Sequence, residues 1–118
     1  MPEKVHPDPD IGSAKAAANL RRVSLRSLYL DPNNFRIIHE LDQKQVPDSD
    51  VKNRDVIQRT MRLLSGEKNQ NIQDLIESFK ANGYLRVDQI LVRELPGGGL
   101  LVVEGNRRVA ALKFLQQE

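Results

Sequence analysis

The chain contains no cysteine and no tryptophan, and its only histidines, His6 and His39, stand far apart in the sequence. Without a thiol there is no disulfide, no thiolate-bound metal and no cysteine nucleophile. Two distant histidines do not make a histidine-rich metal site, and no metal ligand is assigned. Aromatic residues make up 4% of the chain, too few for a base-stacking platform for single-stranded nucleic acid. No apolar run approaches the roughly 18 residues that a membrane span needs. The N-terminus also lacks the apolar core of a signal peptide. The expected location is therefore cytoplasmic, with no membrane partner. Charge of neither sign dominates: 18 Lys and Arg against 16 Asp and Glu give a formal +2, too little by itself to argue for nucleic acid.

What is present is an ordinary globular composition, 39% hydrophobic and 29% charged, over 118 residues, enough for one domain and short for two. Residues 1–12 hold three prolines and almost no apolar periodicity, which predicts a flexible arm. Residues 13–22 are alanine-rich behind a Ser13 N-cap and predict a short helix. Val23-Ser24-Leu25 alternates like a short strand, and Asp31-Pro32-Asn33-Asn34 is a turn. From about Asp50 to Ser65 the spacing of Val56, Ile57, Thr60, Met61 and Leu64 is helical, with Gly66 as its stop. The next helix has Asn71 as its expected cap and Ile72, Leu75, Ile76 and Phe79 as one apolar stripe, and Asn82-Gly83 ends it. Residues 89–95 and 100–104 read as two strands joined by the Pro96-Gly97-Gly98-Gly99 turn. A helix over residues 106–117 follows, burying Val109, Ala110, Leu112, Phe114 and Leu115. No Gly or Pro stop follows it, which predicts an N-terminal piece of a longer protein.

The run Leu101 to Leu112 is thus a strand, a turn and a helix start. A helix N-terminus exposes unpaired N–H groups and partial positive charge, so it attracts anions, phosphates above all. Gly105 lets the chain turn and a ligand approach closely, and Asn106 is an N-cap candidate. Arg107 and Arg108 oppose the helix dipole by about 0.3–1 kcal/mol each if exposed. A bound phosphate would compensate them, and so would Glu104 or Glu94. Adjacent helical residues point about 100° apart, so one Arg can face a ligand while the other pairs with an acid. The several glycines of a dinucleotide fingerprint and the Gly-Lys-Ser/Thr of a Walker loop are both missing.

Three blocks resemble the N-terminal domain of the ParB/sulfiredoxin superfamily. They are Val23-Ser24-Leu25 through Asp31-Pro32-Asn33-Asn34-Phe35-Arg36, Ile72 through Gly83, and Ile90-Leu91-Val92-Arg93 followed by Leu101 to Leu115. The Glu-Gly-Asn-Arg-Arg-x-Ala-Ala-Leu-Lys string is the most specific part. The resemblance implies a compact α+β domain, a small mixed sheet flanked by helices, over residues 23–118, with a helical insertion at about 39–70 and an N-terminal arm over 1–22. It implies that Gly105, Asn106, Arg107 and Arg108 line a phosphate pocket, with Arg36 reaching toward it. Glu104, at the strand end, reads either as orienting an Arg or a metal-bound water or as an acid that pairs locally. In chromosome-partitioning ParB proteins the nucleotide is CTP with magnesium, and the domain gates a DNA clamp. In sulfiredoxins it is ATP, in the free-serine kinases ADP or ATP, and some members are labelled nucleases.

Asn106 departs from each branch. Sulfiredoxins have their essential Cys there, so sulfinic-acid reduction is excluded. ParB proteins have Glu, and the kinases have His at positions 106 and 107. The metal-binding Glu-Asn-x-x-Arg stretch of ParB proteins falls after the Gly-x-x-Arg helix, past Glu118. The resulting expectation is a module that binds a nucleoside triphosphate, CTP or ATP with Mg²⁺, in a DNA-associated protein, with a second copy of the chain as a candidate partner in a homodimer. The alternatives are a metal-dependent nuclease or phosphotransferase, and a protein-interaction domain without ligand. Asp88, Glu94 and Glu104 show no ligand spacing, so no catalytic residue is assigned. Asn34 reads as turn chemistry and His39 as a solvated loop residue. Lys52, Arg54, Arg59 and Arg62, interspersed with Asp50, Asp55 and Glu67, read as a solvated face or a phosphate-contacting patch for DNA.

Overall fold

A computed structural model describes residues 2–8, 21–34, 37, 45–83 and 90–117. Of the helix expected over 13–22, residues 13–20 lie outside the described residues, as do the candidates Arg36 and His39 and Asp88, while Arg21 and Arg22 belong to a strand instead. Five strands are described: β1 (Glu3–Asp8), β2 (Arg21–Ser24), β3 (Leu28–Tyr29), β4 (Ile90–Glu94) and β5 (Leu100–Glu104). The helices are α1 (Arg54–Ser65), α2 (Gln73–Asn82) and α3 (Asn106–Gln117). The strands form one sheet in the order β2-β1-β4-β5-β3, with β1/β2 and β3/β5 parallel and the other pairs antiparallel. The fold is α+β with a mixed sheet, as the sequence predicts.

The expected arm is the main correction. Glu3–Asp8 is an interior strand, anchored by Val5, which is fully buried. One apolar residue in six gives too little alternation to reveal a strand from sequence. Pro7 also argues against one, because proline cannot donate to a ladder. Among the described residues, β4 pairs with Glu3, Lys4 and Val5, and Pro7 pairs with Val23 of β2.

Period-two alternation along β5 separates two apolar layers. Leu100 and Val102 join the main core with Val5, Ile90, Val92 and the inner faces of the helices. Leu101 faces a smaller cluster with Val51 and Leu95, flanked by Tyr29 and Val46. The β4/β5 register shifts between Leu91 and Val92, which pair with Glu104 and Val102, so Val103 is the extra residue and is exposed. The hairpin closes through Leu95 N–H to the Gly99 carbonyl at 3.0 Å. Its three glycines all have positive φ, a conformation that side chains disfavour.

α3 packs against both other helices. Its buried side is Val109, Ala110, Ala111 and Leu112, with Phe114 and Leu115 packed beside them. α1 begins at Arg54 rather than near Asp50, because Asn53 caps it by accepting from the Asp55 N–H at 2.9 Å. Asp48–Asp50 forms a separate 3-10 turn ahead of it. Gly66, at φ +79, ends α1 as expected. The stripe on α2 is core, with Ile72, Ile76 and Phe79 buried. Asn71 does not cap α2: Ile72 holds the cap position, with no side-chain hydrogen bond.

Candidate functional site

The β5–α3 junction opens on a cleft of about 250 Å³ lined by Asn34, Leu75, Val103, Glu104, Gly105, Asn106, Arg107 and Arg108. Of the residues singled out in sequence, Glu104 and Gly105 to Arg108 therefore meet here, and Asn34 comes to them from the turn after β3. The first turn of α3 contains no acid.

Gly105 is fixed by the fold itself. It sits at φ +100, and a Cβ there would lie 2.7 Å from Ile90 Cδ1, within the buried core. Its carbonyl accepts the first intrahelical bond, from Val109 N–H at 3.0 Å, so Gly105 holds the N-cap position. Asn106 is then the first helical residue, not the cap that the sequence suggested. It is 3% exposed. Its Oδ1 accepts from Asp31 N–H at 2.8 Å, and its Nδ2 donates to the Val102 carbonyl at 3.0 Å. This side chain ties the Asp31–Asn34 turn to the end of β5.

The turn is braced from its other side. Asp31 Oδ1 accepts from Asn33 N–H at 2.9 Å, and the Asn33 amide exchanges two 2.8 Å hydrogen bonds with the backbone of Val46. Burial pushes the Asp31 carboxyl up from its ordinary range, against the lowering effects of its Asn33 hydrogen bond and the Arg93 charge. Arg93 grips Asp48 through two bonds of 2.7 and 2.8 Å, which holds the Asp48 carboxyl below its ordinary range and raises the guanidinium.

The two arginines differ in what the structure shows of them. Arg107 Nε donates to the Asn71 carbonyl at 2.9 Å, and its Nη2 meets Asp74 Oδ1 at 2.9 Å. It staples the start of α3 to the start of α2, and its acid is Asp74 rather than Glu104 or Glu94. Arg108, one position further round the helix, is half-buried and lines the cleft. In the sequence Asn71 has only the role of a cap, and Asp74 enters no reading of the site. Nothing in their spacing announced that Arg107 would reach both.

No group of three or more His, Asp or Glu that would hold a metal ion occurs among the described residues. No described helix is long and apolar enough to cross a membrane. No protein-family model, curated protein or solved structure matches the chain.

Proposed function

We propose that the chain is a phosphate-binding module that takes the phosphates of a nucleoside triphosphate at the N-terminus of α3. The observation that carries this reading is the acid-free first turn of α3, opening with two arginines onto a cleft. The backbone N–H groups of that turn and the helix dipole favour an anion, and the cations next to them make a phosphate the best-matched occupant. Arg108, half-buried and lining the cleft, is the side chain assigned to the ligand. Gly105 and Asn106 shape the cleft, one through its backbone and the other by pinning the Asp31–Asn34 turn.

At about 250 Å³ the cleft falls below the roughly 300–1,000 Å³ of sites that enclose a whole drug-sized ligand. It suits the phosphates, with the nucleoside lying outside it. A magnesium ion fits only in the mode that uses one or two carboxylates plus the phosphate oxygens, and Glu104 is the carboxylate at the cleft. Such an ion would neutralise phosphate charge. CTP and ATP are both compatible with this chemistry, and the link to DNA and to a second copy of the chain rests on the superfamily resemblance alone. No cluster of acids among the described residues favours the nuclease reading.

The test is thermal unfolding with CTP, ATP and Mg²⁺ in separate arms, on the chain and on Arg108→Ala. A nucleotide-dependent rise in Tm that Arg108→Ala abolishes supports the proposal. No shift with either nucleotide at millimolar concentration rejects it.

A further inference from the structure

A larger groove, of about 780 Å³, lies between α1, the second half of α3 and the segment leading into β3. It is separate from the cleft at Arg108: Lys113 stands five residues further along α3, about 7.5 Å in helical rise. Every charged residue that lines the groove is a cation: Arg26, Arg62 and Lys113. Among the described residues, the side chains of Arg26 and Arg62 have no ion pair or hydrogen bond, and Lys113 donates from Nζ to the Leu25 carbonyl at 3.1 Å. Leu30, Met61 and Phe114 give the groove an apolar wall, beside the neutral polar Gln58, Asn69 and Gln116.

A second, independent feature points to a ligand. Ser65 lines the groove and is 3% exposed, yet its Oγ has no hydrogen-bond partner. Buried hydroxyls are normally satisfied, because leaving one unpaired forfeits its hydration for nothing in return. A polar atom of a ligand seated in the groove would supply the missing partner. Burial also pulls the Lys113 ammonium below the usual lysine range, and an anion beside it would favour the charged form.

We infer that this groove binds a small amphiphilic anion: an apolar body of metabolite size against Leu30, Met61 and Phe114, with a carboxylate or phosphate head held by Arg62, Lys113 and the Ser65 hydroxyl. The volume is within the range of small-molecule sites. The absence of a lining acid among the described residues selects against amines and zwitterions.

The test is a fluorescence titration of the chain with 8-anilinonaphthalene-1-sulfonate, a fused apolar body that carries one anionic group. Saturable binding at one site is expected. Octyl phosphate and octanoate should both displace the dye, and their relative potency separates a phosphate head from a carboxylate. Octylamine and inorganic phosphate should not displace it. The failure of inorganic phosphate separates this site from the one at Arg108. Arg26→Gln combined with Arg62→Gln, both surface changes, should weaken the dye about tenfold. Ser65→Ala should weaken binding without lowering Tm, which a purely structural role would not produce. Unsaturable fluorescence, equal displacement by octylamine, or affinity unchanged in the double arginine variant would each overturn the inference.

Discussion

Asn106 offers the most searching perturbation of the fold around the site. Asn106→Ala removes the acceptor for Asp31 N–H and the donor to the Val102 carbonyl from a position that is 3% exposed. An orphaned buried donor costs about 1–3 kcal/mol, and the space left by the amide adds to that. The expected loss is about 2–4 kcal/mol, a large part of the roughly 5–15 kcal/mol that holds a domain together. For a chain of 118 residues this corresponds to a fall in Tm of about 10 °C. Urea unfolding should show a lower midpoint at unchanged slope. Asn106→Asp sharpens the argument. It keeps the acceptor but, when ionised, turns a carboxylate oxygen toward the Val102 carbonyl. The introduced carboxyl can donate to that carbonyl only when protonated, so its pKa in the folded state is raised. Its contribution to stability is then full below the unfolded carboxylate range, near pH ~4, and is lost as pH rises through the folded value. The deficit of Asn106→Asp should therefore shrink toward acid pH, while that of Asn106→Ala should not. A Tm within about 2 °C of the parent for Asn106→Ala would refute the bridging role.

Gly105→Ala should cost about 1–3 kcal/mol by chemical denaturation, because a side chain at φ +100 is strained and its Cβ would meet Ile90 Cδ1; a neutral result would contradict the positive-φ geometry. Asp74→Ala should cost less than about 1 kcal/mol, since the pair with Arg107 is partly exposed, and should leave phosphate affinity intact; an equal loss of affinity would place Asp74 or Arg107 in the ligand site. Asp48→Asn tests the acid limb. Arg93 lowers the Asp48 carboxyl, so its stabilisation is present above the unfolded carboxylate range and is lost as pH falls through the folded value. Asp31, raised by burial, works in the opposite sense. Tm curves for the parent and Asp48→Asn should thus converge as pH is lowered, and a gap that widens toward acid would refute the assignment.

The elements that sequence reveals are those whose periodicity and stop signals agree. α2 announces itself through the Ile72, Leu75, Ile76, Phe79 stripe and Gly83, and the hairpin through three consecutive glycines. β1 is hidden because its stability comes from pairing on both edges and one buried Val5, neither of which leaves a local pattern. At the site, the turn at Gly105 follows from the spacing of strand and helix. The inward turn of Asn106 does not. A polar residue at a helix start suggests a cap, and only the arrival of Asp31 from 75 residues away makes it a bridge. Arg107 is similar: its partners Asn71 and Asp74 depend on how α2 and α3 cross.

The most direct test of the phosphate-binding account is a titration of the ¹⁵N-labelled chain with CTP and with ATP, each with Mg²⁺, followed through backbone amide shifts. The account predicts saturable shifts centred on the amides of Asn106, Arg107, Arg108 and Val109, with the same curve for each, and loss of those shifts in Arg108→Ala. Shifts that are absent from this turn, or that persist unchanged in Arg108→Ala, would contradict it.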